Sequence, residues 1–489
     1  MVEYQLGSEP HRVLCVPELL LHCFEYLSRS ELVIALLVCK GWSASLDVLW
    51  REREVPLSVI IDKLSQLIES ELPQSDQITS PLAFFEEFAQ KITQLDVNQD
   101  ITTETAEILA GISSALGTHL FPNMTALMIS ESSYFDTESS PWFESFITDR
   151  QQITSIAFEN YTDLDELQPL LSALGRAAPY TQQLALEEDV AGWLEIDCSV
   201  FKQLRVAYLR DFAPEKWRPL VEGCCFLEKV VISVTDDEYP SDGPFPGPPL
   251  VSYSLRELNV QWKEYGYALA TTIMPNLHIL AVGDLSGDTD ITTFLGKHSP
   301  ALQHLEITYS NGEVGDTALE GISNLKELRT IHLSGGVDSI LFSDSAIDFL
   351  ARSLQHLEQL SLQFEDYAGA PILLTGNSLN SILRHCPGLK ILELSLNLLD
   401  FQPDLTEVAP SRIWSLSIYE VTLPDDEVAL KGIAKHLVAW CPKLEKLGRG
   451  PDLWKNRDRK TSEWERLAEL FRFYQGSNTV VPWRSVYTN

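Results

Sequence analysis

The chain has 489 residues, 45% hydrophobic and 22% charged, the proportions of a folded protein with a large core, and these exclude disorder over most of its length. With 70 acidic against 36 basic residues the formal net charge is -34, so neither nucleic acid nor a membrane is an expected partner: the surface as a whole would be repelled by a phosphate backbone or an anionic bilayer. Eight cysteines with no C-x-x-C spacing suit reduced, buried thiols, and without a leader-like start the expected location is cytoplasmic, nuclear or both.

After a short tail (1–12), the first predicted element is a helical hairpin over residues 13–52. Within VPELLLHCFEYL, residues 16–27, Glu18, His22 and Glu25 share one face and leave most of the circumference apolar. Pro17 suits the first helical position, and Ser28 to Glu31, SRSE, has the capping-box spacing that starts a second helix. That helix runs through LVIALLVC and KGW and ends near SLDVLW. So small a module carries more apolar surface than it can bury within itself, so it is expected to dock on another surface.

The segment VLCVPELLLHCFEYLSRSELVIALLVCKGWSASLDVLWR, Val13 to Arg51, resembles the F-box. The matches come in order: Pro17-Glu18-Leu19-Leu20, Phe24, Leu27, Leu32, Val38-Cys39-Lys40-Gly41-Trp42 and Leu49-Trp50-Arg51, with Val16 where leucine is usual. The resemblance implies that the hairpin binds the small Skp adaptor and, through it, a cullin. By position, the adaptor contacts it implies are Pro17, Leu20, Leu21, Phe24, Leu27, Leu32, Val38, Cys39 and Trp42.

A helical linker or cap is expected over 53–90, followed by a repeat array over 91–450. A pattern of apolar, any two, apolar, any one, apolar recurs in LEKVVI, LRELNV, LHILAV, LQHLEI, LRTIHL, LEQLSL, LKILEL and IWSLSI. Its middle apolar residue marks a register running Leu95, Leu127, Ile156, Leu184, Ala207, Val230, Leu258, Leu280, Leu305, Ile331, Leu360, Leu392, Leu416 and Leu447, with neighbours 22 to 32 residues apart. That period is the leucine-rich-repeat range, and alternation within the motif predicts a short strand in each unit. Between markers, stretches such as DELQPLLSALGR, SAIDFLARSLQ and VALKGIAKHLVAWCP place apolar residues three and four apart, the spacing of a helix. The predicted fold is therefore α/β: a leucine-rich-repeat solenoid, with parallel strands on a concave face and helices on a convex one, preceded by a small all-α F-box module.

Two features break the regularity. The asparagine expected three positions beyond the motif fits clearly only at Asn397, and EYPSDGPFPGPPL, with five prolines, replaces a helix by a loop around residues 239–249. At the end of the chain, 451–489 is expected to contain a helix that shields the last repeat.

F-box chains with C-terminal leucine-rich repeats use the repeats to capture a substrate, which implies a non-catalytic substrate-recognition subunit of a Skp/cullin/F-box ubiquitin ligase. The outward strand positions, candidate substrate contacts, are Tyr208, Arg210, Asn259, Gln261, His304, Glu306, Thr308, His332, Gln359, Gln363, Glu393 and Tyr419. Their mixture of polar and aromatic side chains suits protein recognition. His304 and His332, on adjacent repeats, lack the cysteine or acidic companions of a metal site, and no phosphate loop, G-x-S-x-G or H-E-x-x-H occurs, so no metal, cofactor or catalytic residue is assigned. Cys386 and Cys441, each before a proline at the same repeat position, read as packing elements. The alternative is an acidic leucine-rich scaffold or inhibitor that clasps a basic protein independently of ubiquitin ligation, for which the motive is the charge of -34.

Overall fold

The computed structural model describes residues 55–58, 60–61, 89–97, 109, 120–130, 153–159, 164–186, 200–210, 212, 216–233, 248–261, 269, 271–286, 291–337, 339–366, 374–399, 401, 410–424, 426–449 and 460–476. The hairpin, with all its adaptor positions, and most of the proline-rich loop lie outside them.

The chain divides at residue 226 into two compact units. In the first, β1 (Val55–Pro56), β2 (Gln94–Val97), β3 (Ala126–Ser130) and β4 (Ser155–Glu159) are followed by helix α1 (Leu164–Ala177), β5 (Gln183–Leu186), β6 (Val206–Arg210) and α2 (Trp217–Gly223). The six strands pair in sequence order, all parallel. Among the described residues the first strand of this sheet is Val55–Pro56.

The second unit, residues 227–489, opens with β7 (Lys229–Ser233), β8 (Leu250–Val251), β9 (Glu257–Gln261), β10 (Thr272–Ile273), β11 (Ile279–Ser286) and α3 (Ile291–His298). Next come β12 (His304–Asn311), β13 (Glu313–Gly315), α4 (Asp316–Ile322), β14 (Thr330–Val337), β15 (Ser339–Leu341) and α5 (Asp344–Ser353). The unit ends with β16 (Gln359–Asp366), α6 (Gly376–His385), β17 (Ile391–Asn397), β18 (Ser415–Thr422), α7 (Glu427–Trp440), β19 (Lys446–Arg449) and α8 (Lys460–Gln475). Its main sheet is parallel in the order β7-β9-β11-β12-β14-β16-β17-β18-β19, while β8 pairs with β10 and β13 with β15 outside it.

Within each unit the register follows the sequence markers residue for residue. Leu95, Leu127, Ile156, Leu184 and Ala207 are cross-strand partners in the first. In the second the line runs from Val230 through Leu258, Leu280, Leu305, Ile331, Leu360, Leu392 and Leu416 to Leu447. Burial explains this fidelity: in β17 every second residue is buried, with Leu392, Leu394 and Leu396 at 0% exposure, and a slip of one residue would turn all three to solvent. Each such side chain contributes about 1.5–3 kcal/mol by leaving water.

The same short cassette precedes strands of the main sheets. At Pro122, Pro179, Pro275, Pro300, Pro387 and Pro442 a proline follows a carbonyl that accepts from the amide three residues on, as in Leu389 N to Cys386 O at 3.1 Å and Leu444 N to Cys441 O at 3.0 Å. Proline's fixed φ suits this second turn position, where no amide is needed. One carbonyl then receives two amides from the next repeat: Glu358 O accepts from Lys390 N (2.7 Å) and Ile391 N (3.2 Å), and Lys390 O from Trp414 N and Ser415 N. This doubled acceptance uses both carbonyl lone pairs and recurs from Thr93 to Gln182 and from Glu228 to Trp414. It binds repeats together without an asparagine ladder. The Asn397 side chain serves its own turn, its Oδ1 accepting from Leu399 N at 3.1 Å.

At the turn position occupied by Cys386 and Cys441 stands Ser299, fully buried, its hydroxyl without a hydrogen-bond partner among the described residues. The two cysteines suit the place better: Cys386 donates weakly to Ala351 O and Leu354 O, and Cys441 accepts from Ser411 Oγ. Ser299→Cys is therefore expected to raise stability by about 1 kcal/mol, by replacing an unsatisfied hydroxyl with a thiol that loses less on burial. Urea denaturation checks this, and a lower midpoint would show that the hydroxyl is satisfied.

Helix α8 covers the last repeat with Trp464, Leu467, Ala468, Leu470 and Phe471 buried. Arg466 bridges to Glu427 of α7 at 3.2 Å, and Gln475 Nε2 donates to Leu444 O at 3.0 Å.

Candidate protein-interaction face

In the second unit, strand residues that alternate with the buried markers face away from the helices. Their side chains form rows, because parallel pairing in register sets equivalent positions about 4.8 Å apart. The middle row runs Asn259, Ala281, Glu306, His332, Ser361, Glu393 and Ser417.

Gln261, His304 and Glu306 are exposed, and His332 and Gln363 are half-buried. In the first unit Tyr208 and Arg210 are half-buried, alternating with buried Ala207 and Leu209. Tyr419 lies in β18, but its side chain is outside the described ones. The two histidines are diagonal neighbours: His304 lies opposite Thr330, whereas His332 lies between Glu306 and Ser361. Among the described residues no group of three or more histidine, cysteine or acidic side chains is placed to hold a metal ion.

Two polar arrangements on this face depend on contacts between repeats. Glu393 Oε2 accepts from Ser361 Oγ and from Gln363 Nε2, each at 2.7 Å. Two donors on one oxygen fix the carboxylate's position and leave its second oxygen for another donor. Where the strands begin, Glu358 lies between Lys390, which donates to it, and Arg329 at 3.6 Å. The hydrogen-bonded Lys390 ammonium, with Arg329 and His304 nearby, holds the Glu358 carboxyl below its ordinary range. Glu393 is marked in the sequence by its place in the repeat, whereas the only sequence signal of Ser361, Glu358 and Lys390 is their distance from the marker residues.

The thiols of Cys386 and Cys441 are buried and pushed up to about 12 and about 11, chiefly by desolvation. Neutral thiols at that depth are packing groups and poor nucleophiles. No described helix is long and apolar enough to cross a membrane.

Comparison with known proteins gives two kinds of likeness. Residues 17–54 match the F-box-like family model. Among solved structures, the chain is similar to a leucine-rich-repeat protein of Leptospira interrogans, at 13% identity and a TM-score of 0.35 over 76% of this chain and 81% of that one. It is also similar to a chain in the crystal structure of the Rad7 and Elc1 complex in yeast, at 11% identity and a TM-score of 0.33 over 88% and 96%. No curated protein matches by sequence. The leucine-rich architecture itself is read from this chain's own parallel sheet and its repeating register.

Proposed function

We propose that this chain is the substrate-recognition subunit of a Skp/cullin/F-box ubiquitin ligase, acting in the cytoplasm, the nucleus or both. The observation that carries the reading is the F-box-like segment at residues 17–54 ahead of a leucine-rich parallel stack. In this reading the apolar hairpin face is covered by the Skp adaptor, which links the chain to a cullin, and the outward strand face holds a protein substrate. The chain performs no bond chemistry of its own. It raises the effective concentration of a substrate lysine near a ubiquitin thioester carried by other subunits.

The test is co-purification of the full chain with the adaptor. Changing Leu20 and Phe24 to aspartate places charge where the resemblance puts apolar contacts, and capture is expected to fall at least tenfold, since central apolar anchors dominate such interfaces. The repeats should keep their melting behaviour. Undiminished capture, or an intact wild-type chain that never captures the adaptor, would sink the proposal.

The charge of -34 favours one other reading, an acidic scaffold that holds a basic protein without ubiquitin transfer. Its signature is a complex that forms without the hairpin and weakens steeply as salt rises.

A further inference from the structure

The outward face of β12, β14, β16, β17 and β18 is polar and carries an uneven charge. No lysine or arginine stands at an outward position of these strands, where the side chains are mostly serine, threonine, glutamine and histidine. The nearby cations Arg329 and Lys390 lie where the strands begin and are engaged on Glu358. Glu306 is exposed and Glu393 half-buried, and among the described residues neither carboxylate has an ion pair. Glu393 is also held in place by Ser361 and Gln363, so a cation meeting it would find the carboxylate already oriented.

The two carboxylates belong to the same row, three strand steps apart through His332 and Ser361. Three steps span about 14 Å. An extended chain covers that distance in roughly four residues. Resting on the receptor reading above, we propose that this face docks a basic segment of the bound protein, with two lysine or arginine side chains about four residues apart on Glu306 and Glu393. Of the two side chains between them, His332 is half-buried and Ser361 buried, so the segment's backbone can pass over both. A second copy of this chain is disfavoured as the occupant by its own charge of -34, and an acidic or phosphorylated segment by the two carboxylates.

The test uses the full chain, alone and mixed with the Skp adaptor, and the capped peptide Gly-Lys-Gly-Ser-Gly-Lys-Gly, titrated by calorimetry. Binding is expected to weaken as salt rises, and to weaken at least tenfold for the double variant E306Q/E393Q, whose near-isosteric changes keep the fold. Moving the lysines to two residues apart should cost most of the gain from the second cation. No binding to the wild type, equal binding by E306Q/E393Q, or preference for a glutamate version of the peptide would overturn the inference. Failure of the receptor reading is separately visible: it is loss of adaptor capture, with peptide binding intact. Capture of the adaptor together with a non-basic protein cross-linked to these strands would overturn the charge inference alone.

Discussion

Gly335→Ala is expected to destabilise the second unit by about 3–5 kcal/mol, because a backbone open only to glycine coincides with a close approach between strands. Gly335 has φ 132°, and a Cβ there would lie 1.8 Å from the carbonyl oxygen of Tyr309 on the neighbouring strand. The row that contains it explains why the position is empty. Tyr309, Gly335 and Phe364 are successive cross-strand partners, and the two rings, 6.1 Å apart between centroids, close over the gap, with Phe342 edge-on to Phe364 at 5.6 Å. All three aromatics are buried. Gly432→Ala is the control of opposite sign: in the middle of α7 a Cβ meets nothing within 4 Å, and helix propensity predicts a gain of about 1 kcal/mol. Urea denaturation of both variants decides the matter; a loss below about 1 kcal/mol at Gly335 would refute the clash.

Leu305, Ile331 and Leu360 mark what was legible in the sequence. Each is a buried strand residue whose neighbours alternate with it, so one short motif reports both the strand and its facing. Helices such as α5 and α7 were legible by three-and-four spacing, and the turns carried proline. Position within a repeat, and therefore the outward row, followed from the register alone. Glu306 and His332 could be named as outward residues for that reason.

What escaped the sequence was contact between repeats. Ser343 meets Asp316, and Ser361 meets Glu393, across 27 and 32 residues of chain. No local pattern announces such a pair, since the intervening length varies from repeat to repeat. The division into two units at residue 226 and the small β13–β15 ladder were also unannounced. For the hairpin the position is reversed. The motif was legible at Pro17, Leu20 and Phe24, while its contacts lie outside the described residues.

The vacant asparagine positions bear on the last large effect, expected at Asp344. In α4 and α5 the first helical residue is an aspartate whose carboxylate receives the N-cap of the following helix. Asp316 accepts from Ser343 N at 2.7 Å and Ser343 Oγ at 2.6 Å; Asp344 accepts from Thr375 N at 2.8 Å and Thr375 Oγ1 at 2.5 Å, and also from Ser378 Oγ at 2.5 Å. The same Ser343 and Thr375 oxygens accept amides of their own helices, from Ala346 and Asn377. A carboxylate at a helix start is also favoured by the helix dipole. Asp344→Ala removes three charge-assisted hydrogen bonds and strands a part-buried amide, for an expected loss of about 3 kcal/mol, while Asp344→Asn, which keeps one acceptor, should lose less.

The acid dependence has a definite sign. Burial opposes the charged form of Asp344, but hydrogen bonds from Ser378 and Thr375 outweigh it and hold the carboxyl below its ordinary range. A depressed folded value means that the stabilisation is fully present above the ordinary carboxylate range and is lost as pH falls through the folded value. The stability gap between wild type and Asp344→Ala should therefore be constant near neutrality and shrink on acidification below about pH 4. Denaturation curves collected down the acid limb measure it. A gap of the same size at every pH would mean that the aspartate acts as a neutral packing group, and the carboxylate link between α5 and α6 would have to be abandoned.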